Sequence, residues 1–191
     1  MVVTQRRRLT TEDWIDAALA AIAEGGVPAV AVEPLAARLG ATKGSFYWHF
    51  ANRDALLDAA LARWEARTTT EVIEEITGAA DGPDVQLRAL VIRVIGAAES
   101  DRVGPALLAT PAHPAVAPVL ARATRARLDV ITTLLRRLGL PAAQARHRAL
   151  LAYSAYLGHA QLAHSTPDEL PTSKDARRAY LDHVLRVLTA R

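Results

Sequence analysis

"TKGSFYWHFANRDALL", residues 42–57, holds four of the chain's nine aromatic side chains within five positions: Phe46, Tyr47, Trp48 and Phe50. An α-helix turns 100° per residue, so side chains four apart share a face and side chains two apart lie nearly opposite. On that wheel Phe46 and Phe50 take the buried side, and Gly44 and Trp48 turn outward. Lys43 and Tyr47 flank one shoulder, His49 the other. The outward face runs against two local preferences. Glycine inside a helix costs about 1 kcal/mol relative to alanine, and a tryptophan facing water leaves a large apolar surface unburied. Local rules broken together mark a functional surface.

The residues just upstream supply a frame for it. A short helix from about Val32 to Leu39 tolerates Pro34 in its opening turn, and Gly40 ends it. Ala36, four residues before Gly40, is small enough for a close helix crossing. The pattern predicts a helix-turn-helix over about residues 31–50, with the second of its helices running from Thr42 through Phe50. Leu35, Leu39 and Phe46 hold the pair against a first helix that begins after Thr10 or Thr11. That helix carries Trp14, Ile15, Ala18, Ala21 and Ile22 as its stripe and stops at Gly25-Gly26.

A DNA major groove accounts for what the exposed face offers. Gly44 lets backbone approach base edges, and Trp48 can cover a thymine methyl or a sugar. Tyr47 and His49 can donate to phosphates on the two groove walls. Thr42, Lys43 and Ser45 sit at a helix N-terminus, which favours phosphate. Arg53, opening the next helix, adds a cation. Arg6, Arg7 and Arg8 form either an arm for the DNA backbone or minor groove, or a solvated tail. The competing placement for Trp48 is against another helix or a partner protein. Overall charge does not decide the matter: residues 1–53 hold six Arg and Lys against five Asp and Glu, a net of +1.

Beyond this region helical periodicity dominates, and the chain is expected to be all-α with about nine helices. A fourth helix is predicted over 53–77, then helices at about 84–99, 104–110, 114–138, 141–165 and 174–190, with "TGAADGPD" (77–84) and "STPDELPTSK" (165–174) as loops. "VPAVAV" (27–32) alone looks briefly extended. Of 191 residues, 51% are apolar, enough for a sizeable core. With no cysteine, disulfides and thiolate metal sites are excluded, and a cytoplasmic location is expected. No apolar run approaches the length of a membrane span.

Catalysis finds little support. His147, His159, His164 and His183 lack a metal-ligand spacing such as HExxH, and no phosphate loop, nucleophile elbow or cysteine nucleophile is present. No metal or cofactor is expected. The reading that competes with DNA binding is a helical protein-interaction module that reuses the three-helix fold.

"LAARLGATKGSFYWHFANRDALLDAAL" resembles the helix-turn-helix and following helix of the TetR/AcrR family of transcriptional regulators, the likeness covering about residues 8–68. The resemblance implies a DNA-binding domain over 8–68 and a C-terminal helical domain over 69–191 for ligand binding and dimerisation. It also implies repression of a pseudo-palindromic operator by a homodimer, relieved by a small molecule. By position, Thr42, Lys43, Gly44, Ser45, Tyr47, Trp48 and His49 match the recognition helix, and Arg53 the phosphate contact after it. One departure is Glu33 at the opening of the second helix, where a carboxylate would repel phosphate.

In the C-terminal part the 141–165 and 174–190 helices carry stripes broader than one core face needs. Leu150, Tyr153, Leu157, Gly158, Tyr180, Leu181, Val184 and Leu188 are expected to form a twofold, four-helix seam. Trp64, His113, Tyr153, Tyr156, His159 and Gln161 are the candidate contacts for a small-molecule effector.

Overall fold

The computed structural model describes residues 9–190, and no strand occurs among them. Ten α-helices follow one another: α1 Thr11–Gly25, α2 Val32–Arg38, α3 Lys43–Phe46, α4 Arg53–Glu65, α5 Glu71–Gly78, α6 Pro83–Ala98, α7 Val103–Leu108, α8 Val116–Arg137, α9 Ala142–Ser165 and α10 Lys174–Thr189. A π-helical turn, Ala66–Thr70, joins α4 to α5, so the predicted fourth helix is a single run with a widened turn inside it. Counted that way, the helices number nine. The brief extended signal at 27–32 resolves into a 3-10 turn, Val27–Ala29, followed by two residues leading into α2. Arg6, Arg7 and Arg8 lie outside the described residues.

The chain divides into two compact units. One comprises the residues up to Glu65 together with Arg102–Leu120; the other comprises Ala66–Asp101 and the chain from Ala121 onward.

The first unit is organised by α1. Thr10 and Asp13 form a reciprocal capping box at its start, an arrangement in which each side chain satisfies a backbone N–H that the helix leaves open. Gly26 ends the helix with φ +70°, a conformation that costs other residues Cβ strain. The face predicted for α1 is the one buried: Trp14, Ala18 and Ile22 have no exposed surface. Helices α2, α4 and α7 pack on it, and Glu12 pairs with Arg63 of α4. Ala36 is buried in the α2–α3 corner, and Gly40 turns the chain with φ +61°.

The second unit is built from α5, α6, α9, α10 and the length of α8 from Ala121. Its main core joins Val72, Ile76, Leu87, Leu90, Leu134, Leu135 and Ala145. Leu128, Ala149 and Tyr153 make a smaller cluster. Arg127 secures the π-helical turn from inside this unit. Its Nε donates to Thr69 Oγ1 at 3.0 Å, and its Nη2 donates to Thr68 Oγ1 at 3.0 Å. A π turn lacks the ordinary ladder of i→i−4 bonds, so side-chain donors of this kind help to hold it. No described helix is long and apolar enough to cross a membrane.

Candidate functional site

Thr42 caps α3 by accepting from the Ser45 N–H at 3.2 Å. The helix is shorter than the wheel supposes. After Phe46 the chain tightens into i→i−3 bonds, Trp48 N to Ser45 O and His49 N to Phe46 O, before Phe50 N returns to Phe46 O. The faces keep their sense through this turn, because the Phe50 N–H returns to the Phe46 carbonyl and leaves the two phenylalanines on one side. Phe46 is fully buried, Phe50 is 8% exposed, and Trp48 is 88% exposed. The Phe46 ring meets Trp14 edge-on at 5.4 Å and stacks on Phe50 at 5.8 Å.

The other candidates occupy distinct places around that anchor. Tyr47 is exposed and leans its ring edge on Phe46 at 5.2 Å. His49 is half-buried, shares a 3.2 Å hydrogen bond between its Nδ1 and Thr11 Oγ1, and sits 6.5 Å from Trp14. Thr42, Lys43 and Gly44 are exposed and Ser45 is half-exposed. A Cβ added at Gly44 would meet nothing closer than Thr42 Oγ1 at 3.7 Å. The protein's own packing therefore does not demand glycine there.

Two charged groups depart from the sequence expectation. Glu33 faces Lys43, whose Nζ lies 2.9 Å from its Oε1. That hydrogen bond lowers the carboxyl below its ordinary value and raises the ammonium above its own. The carboxylate thus masks the cation that opens α3. Arg53 is turned inward: Nε donates to the Val30 carbonyl at 2.8 Å, Nη2 to the Val27 carbonyl at 3.0 Å, and Nη1 pairs with Asp54. Its planar fork clamps the turn between α1 and α2, which uses the donors a phosphate would need.

The second unit holds a cavity of ≈ 80 Å³ that opens to solvent. Of the six predicted effector contacts, Tyr153, Tyr156 and His159 line it. The other three do not. Trp64 is buried in the first unit's core, His113 accepts from the Ala115 N–H in the turn before α8, and Gln161 is exposed on α9. The predicted dimer seam is split in the same way. Tyr153, Tyr180, Val184 and Leu188 line the cavity, while Leu150 and Gly158 face outward beside exposed Leu151 and Leu162. Leu157 and Leu181 are half-buried. The sequence reading missed Arg127, Thr68 and Thr69 as wall residues, because no local pattern distinguishes them from an ordinary helix surface.

His159 is 5% exposed, stacks on Tyr180 at 5.9 Å, and neither ring nitrogen has a hydrogen-bond partner among the described residues. Burial pushes its pKa below the ordinary value, against a smaller upward pull from the Glu99 carboxylate, 3.9 Å away and itself paired with Arg177. The ring is therefore neutral at pH 7. As pH falls through the ordinary histidine value of about 6.5, the unfolded chain takes up a proton that the folded one resists. The stability from this site is present above that value and lost below it. Melting curves at pH 7.5 and 5.5 are expected to show a smaller drop for His159→Phe than for the unaltered chain.

A helix-turn-helix with an exposed aromatic face, in a chain otherwise made of packed helices, defines the class of helix-turn-helix transcriptional regulators. Residues 15–60 match the family model for bacterial regulatory proteins of the tetR family. The tetracycline repressor protein class D of Escherichia coli is 44% identical over 52 residues, 27% of this chain and 24% of the repressor, so the match spans about a quarter of that relative. Likeness of fold reaches much further. SmeT, the repressor of the Stenotrophomonas maltophilia multidrug efflux pump SmeDEF, is 27% identical with a TM-score of 0.68, covering 96% of this chain and 92% of that one. A TetR-family regulator from Streptomyces coelicolor is 23% identical with a TM-score of 0.69, covering 93% and 95%. Over residues 15–60 the chain is a TetR-family sequence.

Proposed function

We propose that this chain is a ligand-responsive repressor that binds a pseudo-palindromic operator as a homodimer. Residues 8–68 are its DNA-reading domain and 69–191 its effector and dimerisation domain, although Arg102–Leu120 of the latter packs in the first unit. The observation that carries the reading is Trp48, exposed above a buried Phe46 on a face whose glycine the fold does not require. Trp48, Gly44 and Ser45 read base edges; Thr42, Tyr47, Lys43 and His49 hold phosphates. Engaging phosphate draws Lys43 away from Glu33, and Arg53 contributes by fixing the turn. Arg6, Arg7 and Arg8 serve as an arm on the DNA backbone.

The dimer seam runs along the outer side of α9, where Leu150 and Leu151 are each 54% exposed and Leu162 is 40% exposed beside Gly158. Apolar side chains in a contiguous stripe favour a partner over water, and a twofold mate would place a second recognition helix about 34–36 Å away in the next major groove. The cavity of the second unit is the effector site. SmeT, which shares this fold at 26% identity and a TM-score of 0.73, has a structure as a triclosan complex.

Selection from a random duplex pool, followed by binding at several salt concentrations, tests the whole reading. The selected sites should be inverted repeats bound by two chains, with affinity falling steeply as salt rises through counterion release. Tyr47→Phe should weaken binding to every sequence alike. Binding indifferent to salt would instead indicate an apolar protein interface and overturn the proposal.

A further inference from the structure

The cavity's chemistry is narrower than its size. Its wall is aliphatic over most of its area, with Leu87, Leu90, Val94, Val130, Ile131 and Val184 among the lining residues and no Asp or Glu. Several polar groups on the wall are already engaged. Tyr153 Oη shares a hydrogen bond with Thr124 Oγ1 at 3.1 Å. Thr68 and Thr69 accept from Arg127, whose guanidinium lies 5.9 Å over the Tyr156 ring. His159 differs from these: buried, facing the cavity, and with both ring nitrogens unmatched.

We propose that the effector is a lipophilic molecule carrying one uncharged hydroxyl group, seated with that hydroxyl against the His159 ring. This rests on the reading of the cavity as the effector site. A neutral imidazole presents one N–H donor and one lone pair. A hydroxyl can serve either ring nitrogen, accepting from the N–H or donating to the lone pair, and needs no counter-charge. An ammonium offers donors alone and would meet no carboxylate on this wall, so its burial would cost far more than that of a neutral group. A carboxylate offers acceptors alone, and at His159 it would stand near Glu99. The one cation among the lining residues is Arg127, whose Nε and Nη2 already donate to Thr69 and Thr68. A buried polar group left without a partner is costly, so His159 selects for the head group while the aliphatic wall takes the tail.

Calorimetric titration of the full chain at pH 7.5 with 1-octanol, octanoate and octylammonium separates the classes, since the three eight-carbon probes carry a neutral, an anionic and a cationic head. Octanol is expected to bind about tenfold or more tighter than either ion, a difference of about 1.4 kcal/mol. His159→Phe keeps an aromatic ring against Tyr180 but has no nitrogen, and should lose about that factor for octanol. His159→Gln, which keeps a donor and an acceptor, should retain most of the affinity and guards against a folding defect in the phenylalanine variant. Tighter binding of octanoate or octylammonium, or octanol affinity unchanged in His159→Phe, overturns the hydroxyl assignment and leaves the effector site standing. Failure of all three probes to bind overturns both.

Discussion

Phe46→Ala is expected to unfold the first unit at markedly lower denaturant or temperature, losing about 3–5 kcal/mol. Phe46 has no exposed surface, and its ring is held between Trp14 at 5.4 Å and Phe50 at 5.8 Å. Both neighbours belong to rigid backbone, Trp14 inside α1 and Phe50 next to the Asn52 cap that opens α4. Two neighbours fixed in this way limit how far the void can close, which places the cost within the range for aromatic truncation. The same change removes the anchor that orients Tyr47 and Trp48. Operator binding should therefore fall with stability. Chemical denaturation followed by far-UV circular dichroism measures the first effect. A loss below about 1 kcal/mol, the size of an ordinary surface substitution, would show that the ring is not the keystone of this corner.

Trp48→Ala should produce the opposite pattern. With 88% of its surface exposed, the indole contributes little to folding, and the melting temperature should scarcely move. Binding to the preferred operator should weaken by roughly 1–3 kcal/mol per half-site contact, with the order of preference among operators changed. That separates it from Tyr47→Phe, whose loss is uniform because phosphates carry no sequence. Parallel selections with the two variants make the comparison directly. An unchanged preference in Trp48→Ala would move the reading of bases to other residues.

The sequence carries the helices well because their signals are local. The capping box at Thr10 and Asp13, the glycines at 26 and 40, and the alternation of Phe46, Trp48 and Phe50 each report on a few neighbouring residues. The tightening after Phe46 and the π turn at Ala66–Thr70 leave no comparable trace, since neither requires an unusual residue. Contacts between distant segments were the harder part. The broad stripes of α9 and α10 have two possible destinations, a seam between copies and an internal cavity. Periodicity cannot tell that Tyr180, Val184 and Leu188 line the cavity while Leu150 faces outward. Arg53 is a similar case. A cation at the head of a helix reads as a phosphate ligand until the carbonyls of Val27 and Val30 are found within its reach.

The unequal burial of the three indoles has a spectroscopic consequence. Trp14 and Trp64 are sealed at 0% and 4% exposure, so a small aqueous quencher such as iodide can reach only the third ring. The accessible part of the native emission is thus a reporter of Trp48 alone, built into the unlabelled chain, and any duplex that covers this residue should protect it from quenching.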